Sequence, residues 1–216
     1  MALTVYLHPL ASFCQKVLVA LYENEIPFEA RIVDLMDEAD AAQYMRMWPV
    51  GKMPLLRDHA RDRTLPETSI IIEYLARHYP GRTPLLPTDP DLALQTRLWD
   101  RFYDLYVQEP MSKIVVDRIR PAGTSDAHGV EEAKGKLNVA YGVIEEQMAH
   151  RTWATGEEFS MADCAAAPAL FYADLVVPFG ETHPKTAAYL ARLRKRPSFA
   201  RVVEEAKPYF HMFPKG

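Results

Sequence analysis

Apolar residues alternate with Thr4 and Tyr6 in "LTVYL", residues 3–7, where Leu3, Val5 and Leu7 recur every second position, the period of a β-strand. From residue 14 the period changes. Cys14, Val17, Leu18, Leu21 and Tyr22 fall at i, i+3, i+4, i+7 and i+8, one face of a helix. "FEARIVDL" (28–35) reads as a second strand with Phe28, Ala30 and Ile32 on one face, and a short helix follows at about 39–46. "MPLLRD" and "RTL", joined through "HARD", predict a hairpin. "TSIIIEYLARHY" predicts a helix on which Ile71, Ile72, Leu75 and Tyr79 share a face. The order is β-α-β-α-β-β-α within the first 79 residues.

The pattern then breaks. "PGRTPLLPTDPD" (80–91) holds Pro80, Pro84, Pro87 and Pro90, a density that excludes helix and sheet and predicts a linker. Every later segment reads as helix. "LALQTRLWDRFYDLYV" carries a stripe of Leu94, Leu98, Phe102 and Leu105. "VEEAKGKLNVAYGVIEEQMAHR", "MADCAAAPALFYADLVV", "TAAYLARLRKR" and "SFARVVEEAKPY" follow. The expected organisation is therefore an α/β domain (1–79), a proline-rich linker (80–91) and an all-α domain (92–216).

Composition narrows the function. Half the 216 residues are apolar (49%) and a quarter charged (25%), which supports a packed core and argues against disorder. A net charge of −4 with no basic run removes the attraction a nucleic acid needs. No apolar run reaches the ~20 residues of a membrane helix, and "MALTVYLHPL" lacks the basic start and long apolar stretch of a signal peptide. Cys14 and Cys164 show no framework of spacings, which fits free thiols in a reducing cytoplasm. The seven histidines show no metal-ligand spacing, and no phosphate-binding glycine loop is present.

Four local features carry a resemblance to a known family. They are "ASFCQKV" at the first helix start, "WPVGKMPLL", "LPETSIIIEYL" and "FSMADCAAAPAL". In this order and at these separations the chain resembles the soluble glutathione transferases, a thioredoxin-like α/β domain followed by a helical domain. The resemblance implies glutathione as co-substrate, no metal, a homodimer, and a small apolar electrophile as second substrate. It implies that Pro54 follows a cis bond and that Met53 offers its backbone to the cysteinyl unit of glutathione, as an added strand would. Lys52 is placed to meet the glycyl carboxylate. Glu67 and Thr68 stand where the family commonly has Glu-Ser, at the corner that holds the γ-glutamyl group. A helix start there offers unpaired N–H groups to a carboxylate, with Thr68 as the expected N-cap. "SMAD" (160–163) has the spacing of a capping box, a structural feature, and Cys164 beside it reads as an inert core thiol.

One position departs from the family. The residue that stabilises the glutathione thiolate, a serine in some classes and a reactive cysteine in another, falls here on Ala11. Ser12 is one residue later, and Cys14 lies on the apolar stripe. Ser12 is the candidate thiolate partner, through its hydroxyl if the helix starts late enough to make it the N-cap, or through its backbone N–H together with Phe13. Cys14 is the minor candidate, for a reductase that forms a mixed disulfide with glutathione. A third reading is a binding protein of the same fold without catalysis. For the electrophile, an apolar pocket between the domains is expected, with Leu10, Tyr106, Met111 and Tyr172 as candidate lining residues, and the C-terminal "PYFHMFPKG" as its cover.

Overall fold

The computed structural model describes residues 2–214. Four strands, β1 (Leu3–Leu7), β2 (Glu29–Ile32), β3 (Leu55–Asp58) and β4 (Arg63–Leu65), form one sheet in the order β2-β1-β3-β4. β1 pairs parallel with β2 and antiparallel with β3, and β3 pairs antiparallel with β4. Central β1 buries Leu3, Val5 and Leu7, as its alternation predicts. Helices α1 (Ser12–Glu23), α2 (Glu38–Met47) and α3 (Thr68–His78) complete a thioredoxin-like half, in which Tyr44 of α2 closes a small core with Val33 and Leu55. The second half is helical: α4 (Pro90–Phe102), a π-helical segment (Tyr103–Gln108), α5 (Glu109–Asp117), α6 (Ala127–Gln147), α7 (Met161–Val176), α8 (Pro184–Lys195), α9 (Pro197–Ala206) and a final 3-10 turn (Lys207–Met212).

The two halves share one contiguous core, from Leu3 in β1 to Val202 in α9. Its centre is the contact of α1 with α7. The run of alanines in "MADCAAAPA" leaves α7 buried from Met161 to Ala173 and lets neighbouring helices approach closely. At the start of α7, Asp163 accepts from the backbone N–H and the hydroxyl of Ser160 (2.8 and 3.1 Å), from Ala154 N–H (2.8 Å) and from the Tyr189 hydroxyl. The capping box thus also ties α7 to the 154 loop and to α8.

Four expectations change. First, α1 is buried on every side from Cys14 to Leu21, Gln15 and Lys16 included, because α3, α7 and α9 cover the flank that the stripe left polar. Second, the stripe on α4 points outward: Leu94 and Leu98 are 66% and 61% exposed, whereas Thr96, Asp100 and Asp104 are buried. Asp100 and Asp104 meet Lys16, and the Thr96 hydroxyl donates to Leu92 O at 2.8 Å, so the polar face is the buried one. Third, the linker ends earlier than expected. Pro90 begins α4, where a missing N–H costs nothing, and the Asp89 carboxylate caps the N–H groups of Asp91 and Leu92 (3.0 and 2.9 Å). Fourth, β2 stops at Ile32 and is an edge strand whose four residues are all exposed, so Phe28, Ala30 and Ile32 do not form a closed core face.

Candidate functional site

The sheet register brings three chain segments to one end. Tyr6 pairs with Leu55 across β1 and β3, and Leu56 pairs with Leu65 across β3 and β4. Continuing those ladders places Met53–Pro54 beside the end of β1, where the chain turns into α1, and Pro66–Glu67 beside Met53–Pro54. The N-termini of α1 and α3 therefore flank the segment that enters β3.

At α1, Ala11 is the N-cap, in extended conformation (φ −77°, ψ 119°), and its methyl group caps nothing. Ser12 is the first helical residue, so the N-cap position expected for it belongs to Ala11. The Ala11 N–H donates to His8 O at 3.0 Å, closing the turn that precedes the helix. Among the described residues, the N–H groups of Ser12 and Phe13 and the Ser12 hydroxyl find no acceptor. They are half-buried unpaired donors at the positive end of a helix.

The loop before β3 is held from beneath. The Tyr44 hydroxyl donates to Lys52 O at 2.7 Å, and Gly51 takes a positive φ of 71°. The Met53–Pro54 bond is cis, as the resemblance implied. Leu55 is the first residue of the ladder, which leaves the Met53 N–H and C=O without a partner among the described residues. The Lys52 ammonium is exposed and has no ion pair among them.

At α3, Glu67 rather than Thr68 is the N-cap, with φ 67° and ψ 115°. The left-handed φ is uncommon for a residue with a side chain and marks a strained corner. Thr68 is buried and Glu67 exposed. The first α3 N–H to find a helical acceptor is that of Ile71, on Glu67 O at 2.8 Å, so the N–H groups of Thr68 and Ser69 are open. A cavity of about 300 Å³ lies here, bordered by Glu67, Ser69, Arg97 and Asp100.

Below this corner lies a buried charge cluster that periodicity did not reveal. Lys16 Nζ sits 2.7 Å from Asp100 and 2.8 Å from Asp104, and donates to Ser69 Oγ at 3.0 Å; the Ser69 hydroxyl in turn donates to Asp100. Arg101 reaches Asp104 at 3.3 Å from the surface. Burial, with Asp100 alongside, raises the Asp104 pKa despite Lys16. The only signal in the sequence was a lysine in a helix, and its partners lie in α4 and in the π-helical segment that follows it.

Cys14 is fully buried, and burial pushes its thiol up to about 12. Such a thiol is neither ionised nor accessible near neutral pH. Of the proposed electrophile-pocket residues, Met111 and Tyr172 are core side chains. The Tyr172 hydroxyl donates to Leu10 O at 2.7 Å and accepts from Gln15 Nε2 at 2.9 Å, while Gln15 also donates to Pro9 O at 2.9 Å. Tyr172 is thus a brace for the loop before α1. Leu10 is half-buried and Tyr106 is 57% exposed. The C-terminal segment lies on this brace: Phe210 and Phe213 stack on Tyr172, Tyr209 meets His8 edge-on at 5.0 Å, and Arg118 donates to Pro214 O at 3.0 Å. Lys215 and Gly216, part of the expected cover, lie outside the described residues.

The chain matches the glutathione S-transferase N-terminal domain family over residues 6–83 and the glutathione S-transferase C-terminal domain family over residues 104–197. It is 26% identical to the glutathione S-transferase GstB of Escherichia coli K12, over 88% of this chain and 91% of that one. It is 27% identical to a stringent starvation protein A homolog of Histophilus somni, over 95% and 92%. A crystal structure of a glutathione S-transferase from Methylobacterium radiotolerans, in complex with glutathione sulfonate, superposes with a TM-score of 0.81 at 27% identity, covering 93% and 94% of the two chains. Two family domains in the order of the fold, over most of the chain, place it in the soluble glutathione S-transferase family.

Proposed function

We propose that this protein binds glutathione at the shared end of the sheet and adds its thiolate to an apolar electrophile. The observation that carries this reading is the convergence of unpaired groups there. Met53 offers a free backbone edge to the cysteinyl unit. Lys52 offers an ammonium to the glycyl carboxylate. The open N–H groups at Thr68 and Ser69 suit the γ-glutamyl carboxylate, and Glu67 its ammonium. The relative from Methylobacterium, crystallised with glutathione sulfonate, supports the same ligand class.

The thiol is to be stabilised at the start of α1. A glutathione thiol resembles a free cysteine, pKa ~8.5, and must ionise near neutral pH. A helix N-terminus supplies ~0.3–1 kcal/mol, up to ~2 when partly buried, and a hydrogen bond to a charged group ~1.5–3. At ~1.4 kcal/mol per pKa unit, the dipole lowers the pKa by about one unit, and a donor added to it by roughly two to three. With a methyl group at position 11, the donors left are the N–H groups of Ser12 and Phe13 and the Ser12 hydroxyl. Ala11 also sustains a second reading, a glutathione-binding protein without turnover. The reductase reading loses its nucleophile with the burial of Cys14. Leu10 and Tyr106 remain as electrophile contacts. The outward leucines of α4, with Ile70 of α3 (53% exposed), provide an apolar face for a second copy of the chain. No helix among the described residues is long and apolar enough to cross a membrane. The cytoplasm is the compartment we assign, on the two free thiols of Cys14 and Cys164.

The test is an ultraviolet difference titration of glutathione against the protein across pH. Transferase chemistry requires thiolate absorbance to appear below the solution pKa of glutathione. Binding with an unmoved pKa favours the non-catalytic reading, and absence of binding overturns both.

A further inference from the structure

The turn that leads into α1 has its carbonyl groups pinned by two buried side chains, one of them from the far half of the chain. The Tyr172 hydroxyl of α7 donates to Leu10 O at 2.7 Å. Gln15 Nε2 of α1 donates to Pro9 O and to the Tyr172 oxygen, each at 2.9 Å. Two further bonds close the turn, from Ala11 N–H to His8 O at 3.0 Å and from Leu10 N–H to His8 Nδ1 at 3.3 Å. The consequence lies in the peptide planes. A peptide unit is rigid, so holding its C=O fixes the direction of its N–H. The Leu10–Ala11 unit is held twice, its carbonyl by Tyr172 and its N–H by His8 O. The next unit, Ala11–Ser12, carries the open Ser12 N–H, and its carbonyl accepts from Gln15 N–H at 3.0 Å. Only the φ and ψ of Ala11 turn between the two units. The Tyr172 ring is held in its turn. Phe213 stacks on it at 5.6 Å and 27°, Phe210 at 6.3 Å and 16°, and Arg118 fixes the end of that segment at Pro214 O. Burial raises the Tyr172 pKa well above the ordinary phenol value, so the hydroxyl remains a donor across the pH range of thiol chemistry.

We propose that Tyr172, steadied by the C-terminal aromatics, is a positioning residue for the ionisation of glutathione: through the Leu10 carbonyl it orients the Ser12 N–H toward the sulfur. The proposal rests on the reading of the α1 start as the thiol site. A methyl group at position 11 leaves the backbone as a principal donor there. A backbone N–H has no rotamer with which to correct a misplaced peptide, and a hydrogen bond weakens steeply as its angle falls toward ~120°. A tilt of the turn therefore reduces thiolate stabilisation. The contacts proposed for the rest of the tripeptide, at Lys52, Met53, Glu67 and Thr68, lie on other segments and do not depend on it.

The test is Tyr172→Phe in the full chain, which keeps the ring and its stacking and removes only the hydroxyl. Phe213→Ala, in the half-buried C-terminal segment, is the second variant. Three readouts are compared with the parent protein from about pH 6.5 to about pH 9.5: thiolate absorbance of bound glutathione, kcat with 1-chloro-2,4-dinitrobenzene at saturating glutathione, and the Kd of S-methylglutathione, which has no thiol to ionise. That range lies above the His8 pKa, which burial lowers from 6.5 against the opposing charge of Asp34. In Tyr172→Phe the pKa of bound glutathione is expected to rise by about one unit. kcat then falls roughly five- to tenfold near pH 6.5 and meets the parent value near pH 9.5, where the thiol is ionised in both proteins. The Kd of S-methylglutathione changes by less than about twofold. Phe213→Ala moves the pKa in the same direction by a smaller amount. A parent protein that lowers the thiol pKa, with both variants unmoved, overturns the positioning role and leaves the thiol site standing. A kcat loss equal at every pH, with weaker S-methylglutathione binding, makes Tyr172 structural alone and also overturns it. A shift in Tyr172→Phe without one in Phe213→Ala supports Tyr172 and overturns the part given to the C-terminal aromatics. If Tyr172→Phe does not fold, an unmoved pKa in Phe213→Ala overturns the proposal. A parent protein that leaves the thiol pKa at its solution value overturns the reading of the α1 start, and the proposal with it.

Discussion

In the proposed reading, position 11 decides how the glutathione thiol is held. Ala11 is an N-cap without a capping side chain, directly before the N–H groups of Ser12 and Phe13. Ala11→Ser restores a cap, with an expected gain of ~0.5–2 kcal/mol in unfolding free energy by denaturant melts. If its hydroxyl also reaches the sulfur, the pKa of bound glutathione drops by a further one to two units in the ultraviolet titration. Ser12→Ala is expected to raise that pKa by about one unit where its hydroxyl is the thiolate donor, and to leave it unmoved where the backbone N–H serves. Cys14, burial having pushed its thiol up to about 12, is expected to resist a thiol-specific disulfide reagent in the native protein and to react on denaturation. Fast native labelling of Cys14 would restore the reductase reading.

Among the elements, α1 carries the largest polar commitment. Lys16 answers two buried carboxylates across the junction of α1, α3 and α4. Lys16→Met leaves Asp100 without a cation and Asp104 with Arg101 alone, and is expected to cost ~3–5 kcal/mol, read by denaturant unfolding; adding Asp104→Asn recovers part of it. At the other end of α1, Glu23 accepts from Arg196, from Ser198 (2.8 Å) and from Thr83 (2.9 Å), with its side chain 10% exposed. Burial raises its pKa, but Arg196, Ser198 and Thr83 together outweigh burial and hold it below the ordinary 4.5. A lowered carboxylate pKa stabilises the fold above its unfolded value, and that contribution is lost as pH falls through the folded value. Glu23→Gln is therefore expected to cost ~1–3 kcal/mol near neutral pH, with the gap to the parent protein closing below pH 4.5.

For the whole molecule, the outward stripe of α4 predicts association. A leucine pair at 66% and 61% exposure is an apolar face without cover in one chain. Leu94→Asp combined with Leu98→Asp is expected to halve the mass measured by light scattering, with the helical content unchanged. A parent chain that is already monomeric would remove the second copy from the proposal.

Local patterns in the sequence determined the strand and helix order and the helix starts near residues 12 and 68, whereas the cis bond at Met53–Pro54 was implied by the resemblance. These rest on neighbours within a few positions: alternation, heptad-like spacing, proline and capping residues. The resemblance assigned Glu67 and Met53 to one proposed site, and the register of β1, β3 and β4 brings their two segments side by side. Only the tertiary structure decided which face of each element is inside. Burial depends on what packs against a face, and α4 turns its leucines outward while its Asp100, with Asp104 of the π-helical segment, faces inward to Lys16, 84 and 88 residues away in the chain. Tyr172 became core for the same reason, since the loop before α1 and the C-terminal aromatics close over it, and Met111 is buried in the shared core. The cavity of about 670 Å³ lined by β2, α1 and α9 likewise exists only where segments far apart in the chain meet, which no local pattern encodes.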